Sequence, residues 1–136
     1  MSAGETKEYI KCLVSGTDST DTKYLFNPYG YKVAVEAVLL CPNTTVATHA
    51  SNYITGTLTA NDGSTTLATH TTNSSGGAAM TAGTSVAMTM GSDGVGKALE
   101  IPSGGKLTFA VTKAGTGPAY NYEVQARVFK IREGVC

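Results

Sequence analysis

Ten Lys and Arg residues offset ten Asp and Glu residues in a chain of 136, and only 15% of its residues are charged. A chain of this length holds one domain with one core; it lacks the clustered positive charge that grips nucleic-acid phosphates, and it has no apolar stretch long enough for a membrane-spanning helix. Thr is the commonest residue type, with Gly and Ala next, a mixture that favours pleated, tightly turning chain and leaves an uncharged polar surface that is easy to desolvate against a partner.

The first residues, MSAGETKEYIKC, show no basic segment followed by an apolar run, so they do not read as a signal peptide and folding without secretion by the general route is expected. Residues 1–22 read as an extended N-terminal arm. Its polar end, GTDSTDT at 16–22, would act as a linker that lets Tyr9, Ile10 and Leu13 pack on a neighbouring subunit. Short strands are predicted at Lys7–Val14 and Lys23–Asn27. The clearest strand is Tyr31–Cys41, with Tyr31, Val33, Val35, Ala37 and Leu39 on one face and Pro42-Asn43 stopping it. Shorter runs follow at Tyr53–Ala60, Thr65–Thr69, Ser85–Met90, Ala98–Ile101 and Lys106–Thr112, each bounded by Gly, Asn, Asp or Pro. Asn61-Asp62-Gly63 is a tight-hairpin signal. Asn73–Gly83, rich in Gly and Ala and without an aromatic anchor, reads as a long surface loop. The last strand, Tyr120–Ile131, sets Tyr122, Val124, Ala126 and Val128 against Glu123, Gln125, Arg127 and Lys130.

Eight or nine short strands without a capped helix predict an all-β fold. The expected form is a single-domain, jelly-roll-like β-sandwich of about eight antiparallel strands over residues 23–136, preceded by the arm.

Catalytic chemistry finds little to work with. The two histidines, His49 and His70, lie in Thr-rich sequence away from any nucleophile motif and read as solvent-facing. Glu36, Glu100 and Glu123 sit on different strands and nothing singles them out as an acid pair. Asp18 and Asp21 supply two carboxylates without the further spacing of a calcium site. Asp93-Gly94-Val95-Gly96-Lys97 lacks phosphate-loop spacing and a following helix. Cys12, Cys41 and Cys136 are an odd set without metal-ligand spacing; the first two read as buried thiols and the last as exposed. No catalytic residue, metal or cofactor is therefore expected. What remains is binding surface: Tyr24, Phe26, Tyr29 and Tyr31 cluster around Asn27-Pro28 and Gly30, where exposed aromatics would make good contacts, although some of them would equally cap the end of a sandwich.

The stretch GKALEIPSGGKLTFAVTKAGT, Gly96 to Thr116, resembles a pattern in small jelly-roll decoration (cement) proteins of tailed bacteriophages: a strand, a Pro/Gly turn and a second apolar strand ahead of a Gly-rich loop. The resemblance implies a structural, non-enzymatic virion protein on the outer capsid surface, a homotrimer that binds the major capsid protein and stabilises the shell. It also implies contacts made by the arm and by loops at one end of the sandwich, so that Tyr9, Ile10, Leu13, Tyr24, Phe26, Tyr29 and Tyr31 become the expected interface residues. Neither nucleic acid nor membrane is an expected partner. Two other readings stand beside it: a carbohydrate-binding sandwich whose tyrosines stack sugar rings, weakened by the lack of Trp, and a tail or fibre component of the same kind of particle.

Overall fold

A computed structural model describes residues 7–90 and 99–131. Within them lie ten strands: β1 (Lys7–Gly16), β2 (Asp21–Phe26), β3 (Val33–Pro42), β4 (Tyr53–Thr59), β5 (Thr66–Thr71), β6 (Val86–Ala87), β7 (Thr89–Met90), β8 (Glu100–Ile101), β9 (Lys106–Ala114) and β10 (Tyr120–Lys130). They form two antiparallel sheets. The first runs β1-β10-β3-β6, with β8 also pairing β3, and the second runs β2-β9-β4-β5-β7. Apart from the β4–β5 hairpin, successive strands fall in opposite sheets, while the first pair, β1 and β2, is clasped by the last, β10 and β9. This is the strand order of a jelly roll, and it bears out the all-β sandwich.

Between the sheets, inward side chains alternate with outward ones as a period of two demands. Leu25, Leu40, Ile54, Leu58, Leu67, Ile101, Leu107, Phe109 and Tyr122 are all but fully buried. Phe109 and Tyr122 meet edge to face, centroids 5.9 Å apart at 88°, the geometry that sets a ring's positive edge against its neighbour's negative face. Gly56, opposite on β4, makes room for them: a Cβ there would lie 2.5 Å from Phe109 Cζ and 3.0 Å from the Tyr122 hydroxyl.

Several expectations are corrected. Lys7–Gly16 is not a free arm but a regular ten-residue strand paired with β10 throughout; Ile10 and Val14 enter the core at 5% and 0% exposure. The supposed linker after it is a tied crossing between sheets. Asp18, at φ 49, accepts from Gly117 N (2.8 Å) and pairs with Lys113 (2.8 Å), Asp21 Oδ2 accepts from Ser15 N (3.0 Å), and Tyr120 donates its hydroxyl to Ser19 O (3.0 Å). Polar residues that suit a linker suit a turn equally well, because their side chains satisfy its backbone.

In β3 the predicted single face breaks at a bulge. Val35 pairs with Val128 and Ala37 with Arg127, leaving Glu36 as the extra residue. Val33 and Val35 point inward before it, Val38 and Leu40 after it, so Ala37 and Leu39 turn outward; one inserted residue exchanges the faces of everything beyond. The Asn73–Gly83 segment carries an anchor that is not aromatic: Met80 is 1% exposed and bridges Val46 through paired backbone bonds of 2.8 and 2.9 Å. Cys12 and Cys41 are half-buried, and burial holds the Cys12 thiol up at about 11. Cys136 and Asp93–Lys97 lie outside the described residues.

His70 is not solvent-facing. It pairs with Gly56, whose face is inward, and its Nε2 is buried without a hydrogen-bond partner. Burial lowers its pKa, so the folded chain holds it neutral. The unfolded chain binds a proton below the ordinary value of about 6.5, and stability is therefore lost as pH falls through that value. His70→Gln is expected to flatten the fall in urea midpoint between about pH 7 and pH 5; a slope unchanged from the parent would show that His70 is not its source.

Candidate docking surface

The two outer faces of the sandwich are unlike. Register places Tyr9, Lys11 and Leu13 of β1 beside Arg127, Gln125 and Glu123 of β10, and these beside Ala37, Leu39 and Cys41 of β3. Charges of both signs meet on this first face. Arg127 Nε donates to Glu36 Oε2 at 3.1 Å, the Tyr9 hydroxyl also bonds the Arg127 side chain, and Gln125 Nε2 donates to Glu123 at 2.6 Å. Lys32 pairs with Glu100 at 3.2 Å near β8. Alternating charges of this kind keep a surface hydrated.

The second outer face is built almost wholly of hydroxyls and methyls. Outward positions are Thr22 on β2, Thr108 and Thr112 on β9, Thr55, Thr57 and Thr59 on β4, Thr66, Thr69 and Thr71 on β5, and Thr89 on β7. Ala110, Ala114 and Tyr53, which pairs with Ala114, lie among them. Lys106, opposite Phe26 at one corner, is the single charged residue among these outward ladder positions. One cross-strand pair satisfies itself: Thr55 Oγ1 donates to Thr71 Oγ1 at 3.0 Å, and Thr71 Oγ1 to Ile54 O at 3.3 Å. The alternation Thr55-Gly56-Thr57-Leu58-Thr59 is visible in the sequence and was the available signal. That five strands bring their threonines onto one face was not, since most pairing partners are distant in the chain.

Along the β2 rim of this face stand Tyr24 and Phe26, 47% and 57% exposed, their rings 6.0 Å apart with Lys106 Nζ 5.7 Å from the Tyr24 centroid. The seven residues expected at an interface are thus divided. Tyr24 and Phe26 edge the threonine face; Tyr9 and Leu13, 43% and 50% exposed, lie on the opposite, charged face; Ile10 is core. Tyr29 and Tyr31 form a third group at one end. They stack on each other at 5.4 Å and 12°, Lys130 Nζ covers Tyr31 at 4.7 Å, and burial, then the Glu8 carboxylate, raises the Tyr29 phenol. Rings engaged on each other and on a cation offer a sugar little free platform.

No protein-family model matches this chain, and no curated protein matches its sequence. Among the described residues, no group of three or more His, Cys, Asp or Glu side chains is placed to hold a metal ion. Asp18 and Asp21 are each taken up by a lysine, Lys113 and Lys23. What the geometry offers is broad, flat contact.

The loop that bears the aromatic cluster is held by two side chains, Ser103, whose Oγ donates to Tyr29 O at 2.8 Å, and, with more bonds, Asn27. Asn27, 2% exposed, donates its amide to the carbonyls of Tyr31 (2.9 Å), Ile101 (3.0 Å) and Pro102 (3.1 Å) and accepts from Tyr29 N (2.9 Å). Its backbone also bonds Gly105 O and Gly104 N. The end of β2 and the Pro102–Gly105 turn are thereby joined.

Proposed function

We propose that the chain is a capsid decoration protein of a tailed phage, lying on the outside of the head with the threonine face of its second sheet against the major capsid protein. One observation carries the reading: the contrast between an outer face laced with charge and an outer face of ten threonines with one lysine at its corner. Buried charge needs a matched partner, whereas a hydroxyl that already has a neighbour loses little on desolvation. The charged face suits water, and the threonine face suits broad contact with another protein. Modest contacts repeated over a shell add through many copies, so no deep pocket is required. The resemblance of Gly96–Thr116 to decoration proteins supports the particular partner.

The test is co-sedimentation of the purified chain with undecorated heads, with shell melting followed in parallel. Saturable binding and a higher melting temperature are expected. Thr57→Lys with Thr69→Lys, cross-strand neighbours in the middle of the face, should weaken binding by about tenfold or more, since two cations would be desolvated without partners. Gln125→Lys on the opposite face should leave it unchanged. Equal binding by the two variants would remove the face assignment, and no binding by the parent would remove the capsid reading.

A further inference from the structure

We propose that two copies of the chain join edge to edge across a two-fold axis, β1 against β1 and β2 against β2. An unpaired strand edge is a row of free N–H and C=O groups that invites another strand. The two sides of this sandwich manage that hazard differently. On one side the sheets end in β6, β8 and β7, two residues each. On the other they end in β1, ten residues, and β2, six residues, with no described strand paired to their outer edges. β1 contains no proline, and its register with β10 runs unbroken, so neither of two common edge-blunting devices is present.

The occupant follows from there being two such edges. β1 and β2 belong to different sheets yet lie against each other, bound where Ser15 N donates to Asp21 Oδ2. A single extended peptide would pair one edge and leave the other open. To satisfy both, the occupant must itself present two strand edges at the spacing of packed sheets, about 10 Å, and a second copy related by a two-fold axis does so.

Charge and size agree. With Cys12 on the axis, level with the middle of β2, Lys11 stands opposite Leu13 of the second copy and no cation faces a cation. The Lys23–Asp21 pair beside β1 is already mutually neutralised at 2.9 Å. Cys12 shares the inward parity of Ile10 and Val14 but is only half-buried, so the seam between the two edges is incompletely covered in one copy and closed by the second. The ten residues of β1 and six of β2 in each copy approach the roughly 20 per side of a standard-size interface.

The experiment is the native mass of the full chain by light scattering over a range of micromolar concentrations, together with amide hydrogen exchange. About 28 kDa is expected, twice the 14.0 kDa chain. A mass fixed at 14.0 kDa, or the trimer's value of about 42 kDa, three times the chain, would overturn the proposal. Protection of the β1 and β2 amides that do not bond to β10 or β9 should rise with dimer fraction; a dimer in which they exchange freely uses another surface and overturns it equally. Cys12→Lys places an inward-facing cation at the edge and should shift the chain to monomer; if it fails to fold, exchange on the parent chain decides. The proposal stands apart from the capsid reading: a monomer that saturates heads would keep that reading and end this one.

Discussion

Asn27→Ala is expected to lower stability by about 2 to 4 kcal/mol and the melting temperature by on the order of 10 °C for a domain of this size. The change removes two donor hydrogens and one acceptor at a buried junction. The carbonyls of Tyr31, Ile101 and Pro102 lose their shared amide, and Tyr29 N loses its acceptor. Some of these groups have no water to turn to, since Asn27 is 2% exposed, and an unsatisfied buried polar group incurs its full desolvation penalty. Asn27→Asp tests the cause more sharply. It keeps the acceptor for Tyr29 N but faces three carbonyl oxygens with a carboxylate, so at neutral pH it should be at least as damaging as alanine. Urea unfolding of the three chains checks both: the midpoint should fall with little change in slope. An alanine variant within about 0.5 kcal/mol of the parent would mean that the junction is held by its backbone bonds alone.

Phe109→Ala is expected to cost about 3 to 5 kcal/mol, the usual range for deleting a buried aromatic side chain. The ring is fully buried and packs edge-on against Tyr122. Its neighbour makes the prediction specific. Gly56→Ala alone should cost about 1 to 3 kcal/mol by overpacking, because the new methyl would sit 2.5 Å from Phe109 Cζ. In the Phe109→Ala background that methyl enters vacated space, and the cost should vanish or change sign. A coupling of about 0.5 to 3 kcal/mol in the double-mutant cycle is expected. Additive effects would show that Gly56 is required by its own backbone and not by the ring above it.

Much of the local structure was readable because its causes are local. Thr, Val and Tyr runs of period two bounded by Gly, Pro, Asn and Asp put strands near their observed positions from Lys7 to Lys130, and Asp62 closes its predicted hairpin by accepting from Ser64 N and Thr65 N at 2.8 Å each. These contacts hold its carboxyl down near 2. The polar stretch 16–22 reads as a linker in sequence for an equally physical reason. Asp and Ser serve a free linker and a tied turn alike, and only the presence of Gly117, Lys113 and Tyr120 across the fold decides between them. Likewise nothing near Glu36 announces a bulge; the extra residue exists because β10 and β3 must stay paired on both sides of it.

The candidate surface divides along the same line. That Tyr24 and Phe26 are exposed, and that threonines alternate along β4, follow from residue type and period. Which face they share does not. By itself the amino-acid sequence determined an uncharged, Thr-rich, all-β chain with its strands in place, since propensity, turn chemistry and alternation act over a few residues. The tertiary structure alone decided that the N-terminal segment is an edge strand, that Asn27 ties two distant turns, that His70 faces inward, and that the threonines of five strands converge on one face while the charges gather on the other. Those outcomes depend on pairings between residues as far apart as Lys7 and Phe129, which hydrogen-bond register and burial select together.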